Sequence, residues 1–406
     1  MSDFFVGHAT HPEWRAALAL AAAQIDDQRE GSDTVAPTLG FAYVTDHYAG
    51  AAAELLAELR RRWPGVPWVG TVGVGVAATG VEHFDEPALV LMLSTLATEQ
   101  FEVFSGHRKL QRLTAGSALV HADPRTQDLG ELVAELSDRT RNGYLFGGLS
   151  SSRGEAFQFA DGVLHGGLSG VAFAPEVAML SRVTQGCQPV GPVRRITATE
   201  RNLVLELDGR PALPTLLADL GMDSQAPLRE AVPRLRGTLV GLTDEPAPAE
   251  ASTARARHWQ FGVDTRVRHL IGVDPARQAL AIAEIVQPGM TLAFCQRDRQ
   301  AARRDLVRIC SEIRDEVEQR AEPAATTLDG ASAAAAPPDA PARMRGALYI
   351  SCSGRGGPHF GAASAELQIV RHALGDVPLV GFFAGGEIAH RHLYGYTGVL
   401  TVFMSP

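Results

Sequence analysis

A strand–helix–strand pattern that occurs three times constrains the fold of this chain more than any other feature of its sequence. Each segment runs from an apolar strand through an amphipathic helix to a second apolar strand, a glycine-rich turn and a hairpin. The three segments begin with "GFAYVTDHYAG", "SALVHADPRTQ" and "GALYISCSGRGG". Two strands that are joined through a helix usually lie parallel in one sheet, with a right-handed crossover. We therefore predict an α/β fold, in which repeated strand–helix–strand–hairpin units form two packed α/β halves.

Residue spacing and helix signals support the alignment of these segments. Asp46 and Gly70 are 24 positions apart, as are Asp123 and Gly147. The helix of the third segment, "SAELQIVRHALG", is predicted to end at Gly375, because glycine is favoured just past a helix C-terminus. Chance similarity among ordinary strand–helix–strand units is the alternative explanation of the pattern.

Composition argues against several classes of protein. The chain has 406 residues and a net charge of −9, which disfavours a surface built to bind nucleic acid or anionic lipid. Its four cysteines have neither the spacing of a zinc site nor the density of a disulfide scaffold. The N-terminus has no basic region followed by an apolar stretch, so no secretory signal is predicted. We expect a cytoplasmic protein without a membrane or nucleic-acid partner.

The order of the segments predicts how the chain is divided. Residues 1–34 are expected to form an N-terminal helical lead-in, residues 35–230 a first domain and residues 231–406 a second domain. Within the second domain, residues 322–343 are rich in alanine and proline and almost uncharged. Such a composition is typical of a flexible surface loop, because it buries little apolar area.

Motifs in both predicted domains resemble those of the FIST family. In the first domain they are "FGGLSSSR" (146–153) and the "FADGVLHGGLSGVAF" that follows, and in the second they are "SCSGRG" (351–356) and "GDVPLVGFFAGGEI" (375–388). The resemblance extends over roughly residues 35 to 400. It makes residues 35–230 a FIST N-like domain and residues 231–406 a FIST C-like domain. The chain departs from the family pattern in one turn, where the first segment has Val76 and the third has Glu387.

The resemblance implies a sensory role. FIST domains look like ligand-binding input modules, proposed to detect small molecules such as amino acids, and relatives carry them beside kinase, chemotaxis or cyclic-nucleotide output domains. For this chain the resemblance implies a module that binds an amino-acid-like or other small polar metabolite. Its signal is then expected to pass to a separate protein, such as a kinase or a cyclic-nucleotide enzyme.

The turn "SCSGRGG" is the first candidate for the ligand site. Glycines after a buried strand allow the backbone to point N–H groups at a ligand. Arg355 offers a planar fork that suits a carboxylate or a phosphate, and Cys352 becomes a nucleophile only if positive charge lowers its pKa. A structural turn with a core cysteine is the alternative.

Three further turns complete the predicted site. Glu387 follows two glycines and is expected to accept an amino group, to orient Arg355, or to be a solvated hairpin carboxylate. The serines of "FGGLSSSR" suit a small polar ligand, or bond their own turn. Asp46 ends the first strand, at the sheet edge where α/β proteins bind ligands, and capping of the next helix is its alternative role. The predicted ligand-binding residues are Asp46, Gly147, Gly148, Ser150, Ser151, Cys352, Gly354, Arg355, Gly356, Gly381, Phe382 and Glu387.

The sequence leaves other functions open. Some bacterial FIST proteins look like haem-binding nitric-oxide sensors, and non-covalent haem here would use one of the thirteen histidines as its axial ligand. A cysteine-dependent hydrolase would combine Cys352 with a histidine base, and an adaptor would match the eukaryotic F-box relatives. The repeated serine–lysine pairs of enzymes similar to cyanuric acid hydrolase are excluded, because Lys109 is the only lysine. We expect no catalytic residues, no metal and, unless haem binds, no cofactor.

Overall fold

The computed structural model describes residues 3–30, 35–111, 114–222, 234–235, 237–244, 265–321 and 343–405. The chain divides into two compact units. The first unit contains residues 1–184, 303–393 and 397–406, and the second contains residues 185–302 and 394–396. Apart from residues 394–396, all three sequence segments, and with them every predicted site residue, belong to the first unit.

The elements follow the order that the three segments predict. The lead-in and first segment form β1 (Phe4–Thr10), α1 (Trp14–Arg29), β2 (Leu39–Thr45), α2 (Ala52–Arg62), β3 (Trp68–Gly73), β4 (Gly75–Ala78), β5 (Val81–Phe84) and β6 (Ala88–Ser94). The second segment and its flanks form β7 (Phe101–Ser105), β8 (Ser117–Ala122), α3 (Leu129–Asp138), β9 (Tyr144–Leu149), β10 (Gln158–Ala160), β11 (Val163–Leu164), β12 (Leu168–Phe173) and β13 (Met179–Gln185). The residues that come next form β14 (Cys187–Pro189), β15 (Arg194–Glu200), β16 (Leu203–Leu207), β17 (Arg210–Pro211), α4 (Ala212–Asp219), β18 (Thr238–Thr243), β19 (Arg266–Asp274), β20 (Ala279–Ile282), β21 (Thr291–Arg297) and α5 (Arg299–Ala321). The third segment forms β22 (Met344–Cys352), α6 (Ala365–Leu374), β23 (Leu379–Ala384), β24 (Glu387–His390), β25 (His392–Tyr394) and β26 (Thr397–Met404).

Three six-stranded sheets of the first unit are built in the same way. At the centre of each lies the parallel strand pair of one segment, which is β2–β3, β8–β9 or β22–β23. The closing strand of the same segment (β6, β12 or β26) pairs antiparallel with the first strand of that pair, and an outer strand (β1, β7 or β13) follows it. A hairpin from another segment occupies the opposite side of each sheet.

The three hairpins are exchanged in a closed cycle. The hairpin β4–β5 joins the third sheet beside β23, β10–β11 joins the first sheet beside β3, and β24–β25 joins the second sheet beside β9. Each hairpin pairs with backbone groups that would otherwise form an open sheet edge. The sheet of every segment is therefore completed by a different segment.

One glycine in each segment allows its two parallel strands to pair in the observed register. The facing pairs are Ala42–Gly70, Val120–Gly147 and Tyr349–Gly381. A Cβ atom on these glycines would lie 1.8, 1.9 and 1.7 Å from the carbonyl oxygen of the facing residue. Since real Cβ atoms do not approach so closely, only glycine fits these three positions.

The strand register corrects the alignment of the two aspartates. Asp46 lies four residues after Ala42, whereas Asp123 lies only three residues after Val120, the residue equivalent to Ala42. The equivalent of Asp123 is therefore Thr45. The equal spacing of the aspartates from their glycines conceals this shift, and a shift of one residue moves a strand side chain to the other face.

The core of the first unit lies where the sheets face one another and where helices cover their outer faces. Strands β2, β6, β8 and β23 are buried along their whole length. Between the sheets, the ring of Phe382 stacks on Tyr43 at a centroid distance of 5.2 Å and lies edge-on to His121 at 5.8 Å. Burial on both faces explains why these strands are continuous apolar runs rather than alternating ones.

The second unit is a small β-barrel. Strands β21, β15, β16, β20, β19 and β18 pair in this order, and β18 also pairs with β21, so the described strands form a closed ring. Helix α4 packs against it through Leu213 and Leu216, in a core that also contains Val240 and Phe294. Closure of the ring gives each of these strands a neighbour on both sides.

The α/β fold predicted from the sequence is confirmed. Helix α6 ends as predicted, with Gly375 just beyond it at a φ of +82°. The lead-in is not helical throughout, because β1 precedes α1 and pairs with β6. The compact units also divide the chain differently from the two predicted halves, since the exchanged hairpins tie the third segment to the first two. The predicted boundary near residue 230 and residues 322–342 of the predicted loop lie outside the described residues.

Candidate ligand site

The turn after the first strand of the first segment is closed by an ion pair. The Asp46 carboxylate accepts hydrogen bonds from Arg153, from the backbone N at 2.9 Å, from Nε at 2.8 Å and from Nη2 at 2.7 Å. Burial raises the pKa of Asp46, but the bonds to Arg153 outweigh it and hold the pKa below its usual value. Arg153 also pairs with Asp85. The bonds of Asp46 thus join two segments and do not cap the helix that follows.

The serine turn also joins segments. Ser150 Oγ lies 2.7 Å from Thr71 Oγ1, and Ser151 Oγ accepts a hydrogen bond from Val74 N at 3.0 Å. Ser151 Oγ donates in turn to the carbonyl of Phe383. Both serines are buried. Their hydroxyls bond to the first and third segments rather than to their own turn.

The glycines of the predicted site next to these serines, and Phe382, have packing roles. Gly147 and Gly381 stand at the close approach of parallel strands described above. A Cβ atom on Gly148 would lie 2.8 Å from Ile350 Cγ2 and from Ala384 Cβ. Phe382 is 1% exposed and belongs to the aromatic contacts between the sheets. The structure therefore places these residues in the core.

The third segment has a buried polar group at the equivalent end of its first strand. We call it the third-sheet cluster and define it as Glu82, Ser351, Cys352, Arg355, Glu366, Glu387 and Thr397. At its centre, the Glu366 carboxylate accepts hydrogen bonds from Arg355 Nε at 2.9 Å and Nη2 at 2.7 Å. Tyr349 Oη and Ser351 Oγ donate to the same carboxylate at 2.7 and 3.1 Å. Both charged side chains of this pair are 1% exposed.

Local sequence explains why Glu366 is available to Arg355. Glu366 lies in the first turn of α6, four and eight residues before the buried Val370 and Leu374, so it is on the helix face that packs against the sheet. The first turn of a helix also favours a negative charge. Burial lowers the pKa of Arg355, but Glu366 outweighs this effect and the pKa is raised overall. Arg355 is therefore charged and held by Glu366.

Glu387 is the second buried carboxyl group of the cluster. Its side chain is fully buried, and its Oε2 accepts hydrogen bonds from Thr397, from N at 3.0 Å and from Oγ1 at 2.5 Å. Burial raises the pKa of Glu387 to about 8, against the opposing effects of Thr397, Arg355 and a hydrogen bond from Cys352. Glu387 is therefore mostly protonated at neutral pH.

The exchanged hairpin β4–β5 covers this cluster. Glu82 Oε1 accepts a hydrogen bond from Ser364 N at 2.9 Å, and Ser364 Oγ accepts one from Glu82 N at 3.1 Å. Burial raises the pKa of Glu82 to about 7, and Glu366 adds to this effect. The ring of Phe84 lies against Gly356, where a Cβ atom would be 2.2 Å from it. A side chain at position 356 would thus displace the hairpin.

Two buried atoms of the cluster have no hydrogen-bond partner among the described residues. They are Nη1 of Arg355 and Oε1 of Glu387. An unpaired polar atom in a protein interior costs about 1–3 kcal/mol, so native structures usually pair or hydrate such atoms. One of these atoms is a cationic donor and the other belongs to an acid. Together they offer complementary contacts to a small polar molecule.

A comparison within the chain shows that this feature is particular to the third segment. The strand registers make Val76, Gln158 and Glu387 equivalent, because they pair with Phe382, Thr71 and Gly148. The amide of Gln158 accepts a hydrogen bond from Ser169 Oγ at 2.5 Å and donates to Gly167 O at 3.3 Å. The first segment has an apolar residue here, the second a satisfied amide and the third a carboxyl group with one oxygen unpaired.

The structure thus brings together only part of the predicted site. Cys352, Arg355 and Glu387 lie in the third-sheet cluster, with Gly354 and Gly356 in its turn. Sequence reasoning missed Glu82, Ser351, Glu366 and Thr397. Glu366 had a detectable signal, since it is a charged residue on the apolar stripe of its helix. Glu82 had none, because its contact depends on the hairpin exchange.

The other chemistries depend on the setting of Cys352, on metal ligands and on a cavity that admits haem. Cys352 is buried and hydrogen-bonds to the carboxyl group of Glu387, a setting that does not favour a thiolate. The described residues contain no group of three or more His, Cys, Asp and Glu side chains that suits a metal ion. Two cavities of about 520 and 610 Å³ lie away from the cluster, and neither is lined by a histidine that could hold haem. No helix of the described part of the chain is long and apolar enough to cross a membrane.

The third-sheet cluster lies at a position in the fold where α/β proteins often bind ligands. A charged pair, a protonated acid and two unpaired polar atoms lie at the carboxyl end of a parallel strand pair, as in many α/β binding sites. The chain belongs to the FIST family: residues 38–210 match the FIST N domain and residues 231–390 match the FIST C domain. FIST domains are sensory modules that bind small ligands in signalling, and the family is non-enzymatic.

Similar proteins of the same length occur in mycobacteria. An alignment of 422 positions with an uncharacterized protein of Mycobacterium bovis shows 29% identity and covers 98% of this chain and 98% of the relative. An alignment of 430 positions with an uncharacterized protein of Mycobacterium tuberculosis shows 29% identity and covers 98% of this chain and 99% of the relative. The similarity therefore extends through both family domains.

Proposed function

We propose that the protein is a sensory module that binds a small, amino-acid-like polar metabolite at the third-sheet cluster. One observation carries the proposal: Arg355 Nη1 and Glu387 Oε1 are fully buried and have no partner among the described residues. Guanidinium donors suit a carboxylate, and a carboxyl oxygen accepts hydrogen bonds from an ammonium group. A molecule with both groups would pair both atoms.

The neighbouring segments support this choice of site. Asp46 and Asp123 are bound by Arg153 and Arg125, so the strand-end charges of the first two segments are compensated within the chain. In the third segment, Glu366 binds two of the three nitrogens of Arg355 and leaves Nη1. The third-sheet cluster is thus the strand end at which one buried nitrogen of the arginine is not paired with the carboxylate.

A binding screen tests the proposal. We expect calorimetry and thermal shift to detect at least one member of a panel of amino acids and small carboxylates, because a ligand that binds only the folded state stabilises it. The Glu387→Gln variant should weaken that binding at least tenfold, because its amide is neutral. It should leave the fold intact, because the equivalent residue Gln158 is also an amide. Glu131→Gln, an exposed carboxylate on α3, is the matched control and should bind like the parent. The absence of binding across the panel would contradict the proposal.

The ligand signal is proposed to reach a separate protein. The FIST N and FIST C matches occupy residues 38–210 and 231–390, and sensory domains act through kinases or cyclic-nucleotide enzymes in the family pattern stated above. Affinity purification with and without the identified ligand should recover such an enzyme in a ligand-dependent manner. Recovery of no signalling enzyme in either state would weaken this part of the proposal.

A further inference from the structure

We propose that ligand binding at the third-sheet cluster expels a proton from Glu387, so that occupancy of the site depends on pH as well as on ligand concentration. The inference rests on the proposed function, because it concerns the same site. It adds that the protein senses its ligand jointly with pH.

The placement of charge around Glu387 is the first argument. Arg355 is the cation that faces Glu387, but its Nε and Nη2 are bound to Glu366. Cys352 and Thr397 face Glu387 from β22 and β26, and both are uncharged. Glu366 is a further carboxyl group at the same arginine, and Glu82 faces Glu366. The ligand-free cluster thus holds more acids than cations.

The protonation state of Glu387 follows from this environment. Without solvent and without a cation of its own, the group is stabilised as a neutral acid. The pKa of about 8 means that roughly nine-tenths of the ligand-free molecules carry the proton at pH 7. Glu387 is fully buried. A ligand that pairs with Oε1 therefore contacts the carboxyl group that carries this proton.

A ligand ammonium group changes this balance. It brings a positive charge to Oε1, and an opposite charge at hydrogen-bond distance favours the ionised carboxylate. The O–H bond of the carboxyl group breaks, its electron pair stays on the carboxylate, and the proton passes to solvent. At Glu387 the ammonium charge replaces that of the proton, while the ligand carboxylate pairs with Arg355. For a zwitterion such as an amino acid, the total charge of the cluster therefore falls by one as the proton leaves.

Proton release can be measured directly. L-Alanine is the first probe, and calorimetry in phosphate and in Tris at pH 7 gives the number of protons released per molecule bound. We expect close to one for the parent protein and none for Glu387→Gln. Glu131→Gln, the exposed control on α3, should still release close to one proton. For the parent, the Kd should fall about tenfold from pH 6 to pH 7.

Each outcome decides one of the two proposals. Binding of L-alanine without proton release, or with equal release from the Glu387→Gln variant, would overturn the proton linkage and leave the proposed function standing. If neither L-alanine nor any other panel member binds, the proposed function fails. The linkage, which rests on it, then fails as well. When a ligand does bind, a carbon-13 NMR titration of the ligand-free protein, with the Glu387 signal assigned from the variant, is a second test of the linkage. Titration of Glu387 near 4.5, the pKa of an exposed glutamate, would overturn the linkage, and titration near 8 would support it.

Discussion

At the scale of single residues, Arg355 and Glu366 show how a buried charge is tolerated. Each is 1% exposed, and the carboxylate also accepts hydrogen bonds from Tyr349 and Ser351. Taking two charges out of water is costly, and their attraction offsets this cost only when the geometry is good. The pair therefore specifies the conformation of the turn more than it adds net stability.

Removing one partner of this pair is expected to be costly. Arg355→Met leaves the Glu366 charge buried and should lower the free energy of unfolding by about 3–5 kcal/mol. The double variant Arg355→Met/Glu366→Gln should recover most of the loss, because the amide is neutral and still accepts hydrogen bonds from Tyr349 and Ser351. Urea unfolding followed by circular dichroism measures both. A double variant no more stable than the single one would show that the charge is not the cause.

Glu387 should make the stability of the protein depend on pH. The pKa of an exposed glutamate is 4.5, and burial raises that of Glu387 to about 8. Between these pH values the folded state therefore holds a proton that the unfolded state has lost. Stability then falls as pH rises from about 4.5 to about 8, at up to about 1.4 kcal/mol per pH unit. The Glu387→Gln variant should lack this slope. Unfolding experiments at pH 5, 6, 7 and 8 test the difference, and parallel profiles for the two proteins would contradict it.

At the scale of elements, the parallel strand pairs depend on glycine. Gly147→Ala would place a Cβ atom 1.9 Å from Val120 O, at a φ of +148°. We expect a loss of at least about 3 kcal/mol in the free energy of unfolding, since backbone must move to relieve the clash. Gly130→Ala is the control in the same segment. Gly130 lies in α3 with nothing within 4 Å of its Cβ position, and alanine there should stabilise by up to about 1 kcal/mol.

Thermal and urea unfolding of the two alanine variants distinguish the loss of stability expected at Gly147 from the gain expected at Gly130. A Gly147→Ala protein as stable as the parent would mean that β8 and β9 do not require the close approach. The same substitution at Gly70 and Gly381 extends the test to the other two sheets, where the Cβ position is equally close to a carbonyl oxygen.

At the scale of the whole molecule, the exchanged hairpins make the three segments one cooperative unit. The third segment contributes β24 to the second sheet and receives β4 from the first segment. Most pairings that close the sheets therefore join residues far apart in the chain, which slows folding because loop closure precedes the gain in contacts.

This exchange predicts that the chain can be divided and still assemble. Residues 1–321 and 343–406, co-expressed as separate chains with a tag on one, should copurify because the sheets are shared between them. A charge at a buried contact of β24, as in Ile388→Asp, should reduce copurification. Recovery of the two pieces as independently folded monomers would contradict the shared sheets.

Much of the fold follows from local pattern. The repeated units and the end of α6 at Gly375 depend on neighbouring residues in the chain, which is why they were predictable. The residue-level alignment of Asp46 with Asp123 was wrong, because an extra residue in one connection does not alter helix or strand periodicity. The site residues were predicted in part, since a turn sequence shows which polar groups are present but not which partners they find.

The partners were set by contacts between distant segments. Arg153 reaches Asp46 across 107 positions, and Glu82 meets Ser364 across 282. No local propensity encodes such pairs, because they arise only when each hairpin pairs with the sheet of another segment. Periodicity and glycine placement therefore determine the repeated units of this chain, and its turn motifs indicate the family. The packing of three sheets against one another decides which turns have their polar groups paired and which one keeps two unpaired polar atoms. The reason is that burial and charge compensation are properties of the assembled core.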